Sequence, residues 1–203
     1  MDDMVRAAMQ KWPDVPDVYN WLMLDARGRY RIRARDYDVS RRFDTIGNSA
    51  VVEFIGRNYQ ADDAGRWFFQ NGPQRVFVSL AVTPWVFRFD GITLPVTHTG
   101  RAATRIDSVL IDEHATPVFA TDLGPGTLDD RDLAAFLGAL DDPAGKALTD
   151  TGVDAWLASR STGLAVLRIG NARHGVDPVA RATLAGRFDF DPSPQPPAGA
   201  SDC

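Results

Sequence analysis

The sequence predicts an α+β protein of two tandem, structurally related β-rich units, each an antiparallel sheet with one main helix. Three observations predict this class. Short apolar runs alternate with period two between Asp-Gly and Asn-Gly signals, as half-buried strands require. Two stretches instead carry apolar residues at helical spacing. The order hairpin, helix, Trp-led hairpin then occurs twice. The units are expected over residues 18–100 and 101–191, after an N-terminal helix and linker over 1–17 and before a flexible proline-rich tail over 192–203.

Residues 3–11 read as a short helix capped by Asp2 or Asp3 and ended before Pro13, and PDVPDVY runs extended because proline restricts the residue before it. In YNWLMLDARGRYRIRARDY two apolar runs flank Asp25-Ala26-Arg27-Gly28, where Gly28 takes the positive φ of a short hairpin loop. The returning strand sets Tyr30, Ile32 and Ala34 on one face and a ladder of Arg29, Arg31, Arg33 and Arg35 on the other. Asn48 or Ser49 caps a helix whose Val51, Phe54, Ile55 and Tyr59 form a buried stripe.

The next stretch, GRWFFQNGPQRVFVSL, reads as a second hairpin. Pro73 occupies the position whose N–H would close an Asn71-Gly72 turn, so a loop of roughly three to five residues is expected. WVFRFDGITLPV then places Trp85, Phe87 and Phe89 on one face and turns at Asp90-Gly91.

The second unit repeats the plan. SVLIDEHATPVFAT parallels NWLMLDARGRYRIR with Asp112 matching Asp25, and DLAAFLGALDDPAG parallels AVVEFIGRNYQADDAG. DAWLASRSTGLAVLRIG parallels GRWFFQNGPQRVFVSL, so that Leu24, Phe54 and Trp67 are expected to correspond to Ile111, Phe136 and Trp156. Thr127, with Asp130 three residues on, is the expected cap of the helix bearing Leu133, Phe136, Leu137 and Leu140.

Composition narrows the function classes. The chain of 203 residues is 44% hydrophobic and 24% charged, enough apolar material for a real core. No run has the ~18 apolar residues of a membrane span, and the acidic start MDDMVRAAMQKW lacks a secretory signal, so a cytoplasmic location is expected. The single cysteine, Cys203, excludes an internal disulfide and a thiolate zinc site. Residues 1–106 carry 15 Lys+Arg against 12 Asp+Glu and residues 107–203 carry 7 against 15, so the charge is split between the halves. A pI near 5.1 argues against nucleic acid as the main partner.

FIGRNYQADDAGRWFFQNGPQRVFV, TPWVFRF and THTG, over roughly residues 17–140, resemble a family of uncharacterised proteobacterial proteins grouped as a domain of unknown function. The resemblance implies no activity, cofactor or catalytic residue. The layout also looks like a second uncharacterised bacterial family of tandem, structurally repeated β-rich units with a suggested signalling role.

Candidate chemistry is sparse. His98, His114 and His174 stand far apart without ligand spacing, so no metal is expected, and no motif calls for a cofactor. The acidic groups DYD, DDRD and DFD lack a calcium-hand pattern, and DDRD suits a helix N-terminus. The arginine ladder divides between a solvated face and one that meets an anionic partner, the acidic second unit or a neighbouring subunit. Tyr30 and Tyr37 near it suggest a stacking platform, but Tyr30 lies on the opposite face.

Gln70, Asn71, Gln74 and Arg75 are more polar than a turn needs and cost ~1 to 3 kcal/mol each if buried unpaired. Either they cap neighbouring backbone groups or they grip a ligand. The ligand reading makes Asn71, Gln74 and Arg75 the site, with Arg57 and His98 as neighbours: Arg75 holds an anionic or carboxylate group and the amides orient it. The leading expectation is a non-enzymatic cytoplasmic binding or signalling-accessory module for such a small molecule or a protein partner. The alternative is a hydrolase with His98 as general base.

Overall fold

The computed structural model describes residues 2–12, 15–36, 42–159 and 161–197. Two compact units result: one runs up to Pro84 and resumes at Asp189, and the other is Trp85–Phe188. The expected boundary after residue 100 therefore moves to 84, because the strand beginning at Trp85 pairs within the second unit. The boundary expected after residue 191 moves to 188, because Asp191 N–H donates to Gly65 O at 3.0 Å and Leu80 N–H to Pro192 O at 2.8 Å. That backbone pairing ties the start of the proline-rich segment to the first unit. Cys203 and Tyr37 lie outside the described residues.

The first unit comprises α1 (Asp3–Lys11), β1 (Val18–Leu24), β2 (Tyr30–Arg33), β3 (Phe43–Thr45), α2 (Ser49–Arg57), β4 (Tyr59–Ala61), β5 (Trp67–Asn71) and β6 (Gln74–Leu80). Its sheet has the order β3-β2-β1-β6-β5-β4, antiparallel throughout except for the central β1–β6 pair, which is parallel. Asn48 caps α2 by accepting from Val51 N–H at 3.3 Å. Leu22, Leu24, Tyr30, Ile55, Tyr59 and Val78 are buried. Tyr19, Phe68 and Phe77 form a further aromatic cluster, with Tyr19 stacked on Phe77 at 4.5 Å.

The second unit comprises β7 (Trp85–Arg88), β8 (Val96–Thr97), β9 (Ile106–Ile111), β10 (Pro117–Thr121), β11 (Gly124–Leu128), α3 (Leu133–Gly138), β12 (Leu140–Asp141), α4 (Asp150–Ser159), β13 (Val166–Ile169), β14 (Ala172–Pro178) and α5 (Leu184–Phe188). Its sheet order is β12-β13-β14-β9-β10-β11-β7-β8. The six strands β9 to β14 follow the plan of β1 to β6: three antiparallel strands, a helix, three more strands, and a parallel pairing of the first with the last. The fold is thus α+β with two structurally related β-rich units. Phe119 centres the second core, with ring centroids 6.0 Å from Phe87, 5.7 Å from Phe89 and 6.1 Å from Phe136.

One turn recurs at matching places. Asp25, Asp62, Asp112 and Asp142 each pair their backbone N–H with the carbonyl four residues on, and residue i+3 returns an N–H to the aspartate carbonyl. The i+3 residues Gly28, Gly65, Ala115 and Gly145 all have positive φ. In each turn the aspartate Oδ1 also accepts the N–H at i+4. Arg29 and Arg66 close their own turns as ion pairs at 2.7 Å. Where the second unit has Thr116 instead, Arg181 arrives from 69 residues away and donates Nε to Asp112 at 2.7 Å and Nη2 to Thr116 Oγ1 at 2.8 Å.

Four local expectations are corrected. The β5–β6 loop is only Gly72-Pro73, since Asn71 pairs with Gln74; Gly72 has φ +57°, and Pro73 stands at the second central position, where no N–H is needed. The Trp85 hairpin does not close at Asp90-Gly91: Arg88 pairs with Val96, and Asp90 instead accepts from Ile92 N–H, Thr93 N–H and Thr93 Oγ1 to build a wide loop. Thr127 belongs to β11, and Asp129 accepts from Arg131 N–H to cap the 3-10 turn Asp130–Asp132 that leads into α3. Trp156 sits on α4 and not on a strand, so it does not match Trp67; the counterpart of the β5–β6 hairpin is β13–β14, whose Gly170-Asn171 turn has φ +56° at Gly170. Ala155, Leu157 and Ala158 around Trp156 favour a helix, whereas the Trp67-Phe68-Phe69 run favours a strand.

Among the described residues no helix is long and apolar enough to cross a membrane.

Candidate functional site

Alternation along β5 and β6 decides which predicted residues meet. Asn71 pairs with Gln74 and Gln70 with Arg75, so the first pair lies on one face of the first sheet and the second pair on the other. The expected cluster around the hairpin is therefore divided between two surfaces.

On the face that carries α2, Asn71 and Gln74 stand at a groove of about 500 Å³. Phe69 and Val76 line it from the sheet and Val51, Phe54 and Ile55 from the helix. The helical stripe read from the sequence is thus only partly buried: Ile55 is enclosed, Phe54 packs edge-on against Phe69 at 5.5 Å, and Val51 is 42% exposed. Ile32 and Trp21 are also open, at 44% and 39%. Trp21 reaches the groove through a bulge in which β1 advances four residues, Val18 to Leu22, against two of β6; Asn20 at its centre has φ +61°. Arg33 lies over the Trp21 ring at 5.6 Å. Three exposed apolar side chains thus converge on one concavity with amide groups beside it.

The opposite face carries Gln70 and Arg75. Gln70 is 1% exposed; its Nε2 donates to Gly72 O at 2.9 Å, while its Oε1 is enclosed without a donor. Arg75 stacks over Phe68 at 5.0 Å. Gln74 bridges outward instead, donating to Pro16 O at 3.0 Å.

The two expected neighbours are engaged elsewhere. Arg57 pairs with Asp2 at 3.3 Å, and that hydrogen bond holds the Asp2 carboxyl below its ordinary range. Asp2 N–H donates to Asn58 Oδ1 at 2.8 Å, so the aspartate anchors the chain before α1 without capping it through its side chain. His98 belongs to the second unit, where Nδ1 accepts from Val86 N–H at 3.3 Å and the ring packs on Trp85 at 5.6 Å. An edge of the residue remains exposed, but burial of the ring lowers its pKa to about 3, which keeps it neutral.

The other charged groups read as structural. Arg29 pairs with Asp25 and Arg31 donates to Phe43 O at 2.6 Å, so the ladder is partly tied to its own hairpin, and Arg35 lies beyond the strand. In DDRD, Asp129 binds Arg131 and Asp132 binds Arg88 Nη2 at 2.9 Å. Among the described residues no group of three or more His, Cys, Asp or Glu could hold a metal ion.

Sequence reasoning missed Trp21 and Ile32 as groove residues and Gln70 as part of a cleft. Period-two alternation at 70–71 and 74–75 would have separated the two faces; the bulge that turns Trp21 leaves no comparable mark.

Comparison with known proteins places the chain in a family. No curated protein matches it. Among solved structures it is similar to a DUF1285 family protein from Silicibacter pomeroyi DSS-3, with a TM-score of 0.47 and 11% identity over 70% of this chain and 86% of that one. Residues 1–195 match the family model DUF2944, described as a protein of unknown function (DUF2946), and the chain belongs to that family.

Proposed function

We propose that this protein is a cytoplasmic, non-enzymatic binding module of the signalling-accessory kind, its two units derived by internal duplication, and that its ligand lies in the groove beneath α2. The ligand is a small, mainly apolar molecule with one hydrogen-bonding head: the walls supply apolar contact, and Asn71 supplies a donor and an acceptor for the head. The observation that carries this reading is the convergence of Trp21, Ile32 and Val51, all exposed, on a concavity of about 500 Å³. The shared strand plan supports the duplication. The hydrolase alternative draws no support from His98, whose Nδ1 lone pair already meets Val86 N–H.

Thermal shift with decanol tests the groove. Decanol raises the Tm of the natural protein and leaves Ile32→Glu unchanged, because a carboxylate at the rim opposes the apolar chain. No shift in the natural protein, or an equal shift in both, refutes the proposal.

A further inference from the structure

The face opposite α2 holds two adjoining clefts of about 520 and 540 Å³ that share Met9, Gln70 and Arg75. Three polar groups in the smaller cleft lack the partners that such groups have elsewhere in the chain. Arg75 has no ion pair and donates no hydrogen bond among the described residues, although it is half-buried against Phe68. Asp17, also half-buried, forms no direct ion pair and accepts no hydrogen bond among the described residues, although Arg66 of the larger cleft acts on it at longer range. Gln70 Oε1 is enclosed and unmet. Most other buried acids are matched: Asp25 with Arg29, Asp112 with Arg181, Asp129 with Arg131 and Asp141 with Arg168. In the larger cleft Asp62 is taken up by Arg66.

We propose that the smaller cleft is a second ligand site, for a zwitterionic amino-carboxylate such as a free α-amino acid with an apolar side chain. The planar guanidinium of Arg75 takes the carboxylate in a two-point contact, its other face already braced by Phe68. Asp17 takes the ammonium. An anion alone would leave Asp17 without a direct ion pair and a cation alone would leave Arg75 so; one ligand with both charges supplies both. Met9, Trp12 and Val15 give the cleft apolar walls for a side chain. The hydrogen bond from Gln74 Nε2 to Pro16 O holds the Asp17 segment against the β5–β6 hairpin, which makes Gln74 a positioning residue.

Calorimetric titration with L-phenylalanine, N-acetyl-L-phenylalanine and L-phenylalanine amide tests the site. L-Phenylalanine binds, and loss of either charge weakens binding at least tenfold. Arg75→Met removes binding, Arg75→Lys restores part of it, and Asp17→Asn weakens the parent amino acid but not the N-acetyl derivative. Ile32→Glu, on the other face, leaves all of this unchanged, so failure here and failure of the groove proposal are separable. Circular dichroism of each variant confirms folding. No binding of L-phenylalanine by the natural protein, equal binding of the N-acetyl derivative, or binding indifferent to both Arg75 and Asp17 overturns the proposal.

Discussion

Removing Arg181 should harm this protein more than removing Arg29, although both guanidinium groups close the same kind of aspartate turn. The Asp112 side chain is 0% exposed and Arg181 is 34% exposed. In Arg181→Met the carboxylate keeps two backbone donors, His114 N–H at 2.9 Å and Thr116 N–H at 2.8 Å, but its Oδ2 loses its cation inside the protein. Breaking a buried pair from one side costs about 3 kcal/mol. In Arg29→Met the partner Asp25 is 11% exposed and the arginine itself was 50% exposed, so water already screens the pair and the loss is at most about 1 kcal/mol. Asp112→Asn falls between, at about 1 to 2 kcal/mol, because Arg181 can turn to water. The double variant Asp112→Asn with Arg181→Met costs less than the two single losses added, since no charge is then left enclosed. Urea unfolding followed by circular dichroism reads this out: with a slope of roughly 2 kcal/mol per molar, Arg181→Met lowers the midpoint by about 1.5 M and Arg29→Met by less than about 0.5 M. Equal shifts for the two arginine variants, or strict additivity in the double variant, would refute the reasoning.

Three further outcomes are expected. Gly126→Ala should destabilise the second unit by about 2 kcal/mol or more, because an added Cβ would lie 2.4 Å from the Phe87 ring and 2.8 Å from Trp85 Cβ, both enclosed; thermal unfolding measures it, and an unchanged Tm contradicts the packing described. His98, with a pKa near 3 in the folded chain against about 6.5 unfolded, makes the unfolded state bind the extra proton as pH falls, so stability is full above pH 6.5 and declines below it at up to about 1.4 kcal/mol per pH unit until about pH 3. NMR titration of the imidazole checks this, and a midpoint near 6.5 would rule it out. Asn48→Ala should cost about 1 kcal/mol by leaving Val51 N–H without its cap, an effect that Asn48→Asp largely avoids in the same unfolding assay.

Local signals carried much of the fold. The first hairpin and α2 were legible because each had a turn or cap residue joined to a clear period: Gly28 with φ +73°, and Asn48 ahead of an apolar stripe. The turn at Gly72-Pro73 is hidden in the sequence because Asn-Gly is the stronger hairpin pair in general, yet one positive-φ glycine before a proline also fits a two-residue loop. Trp156 shares its identity with Trp67 but not its setting, since the alanines and leucine around it favour a helix. Of the candidate site, the polarity of residues 70–75 was readable and their division between two faces followed from strand alternation; the groove was not, since it depends on the Asn20 bulge and on a helix that leaves Val51 uncovered.

The return of the chain at Asp189 gives the two units different dependence on synthesis. The second unit is one unbroken span, Trp85–Phe188, and has every strand it needs once that span has left the ribosome. The first unit, though begun earlier, waits for its last backbone partners, Asp191 for Gly65 and Pro192 for Leu80, until more than a hundred further residues have been made. A chain cut after Phe188 would therefore keep a complete second unit and release a first unit with an open seam, so the segment around residues 189–192 controls whether the part made first is ever finished.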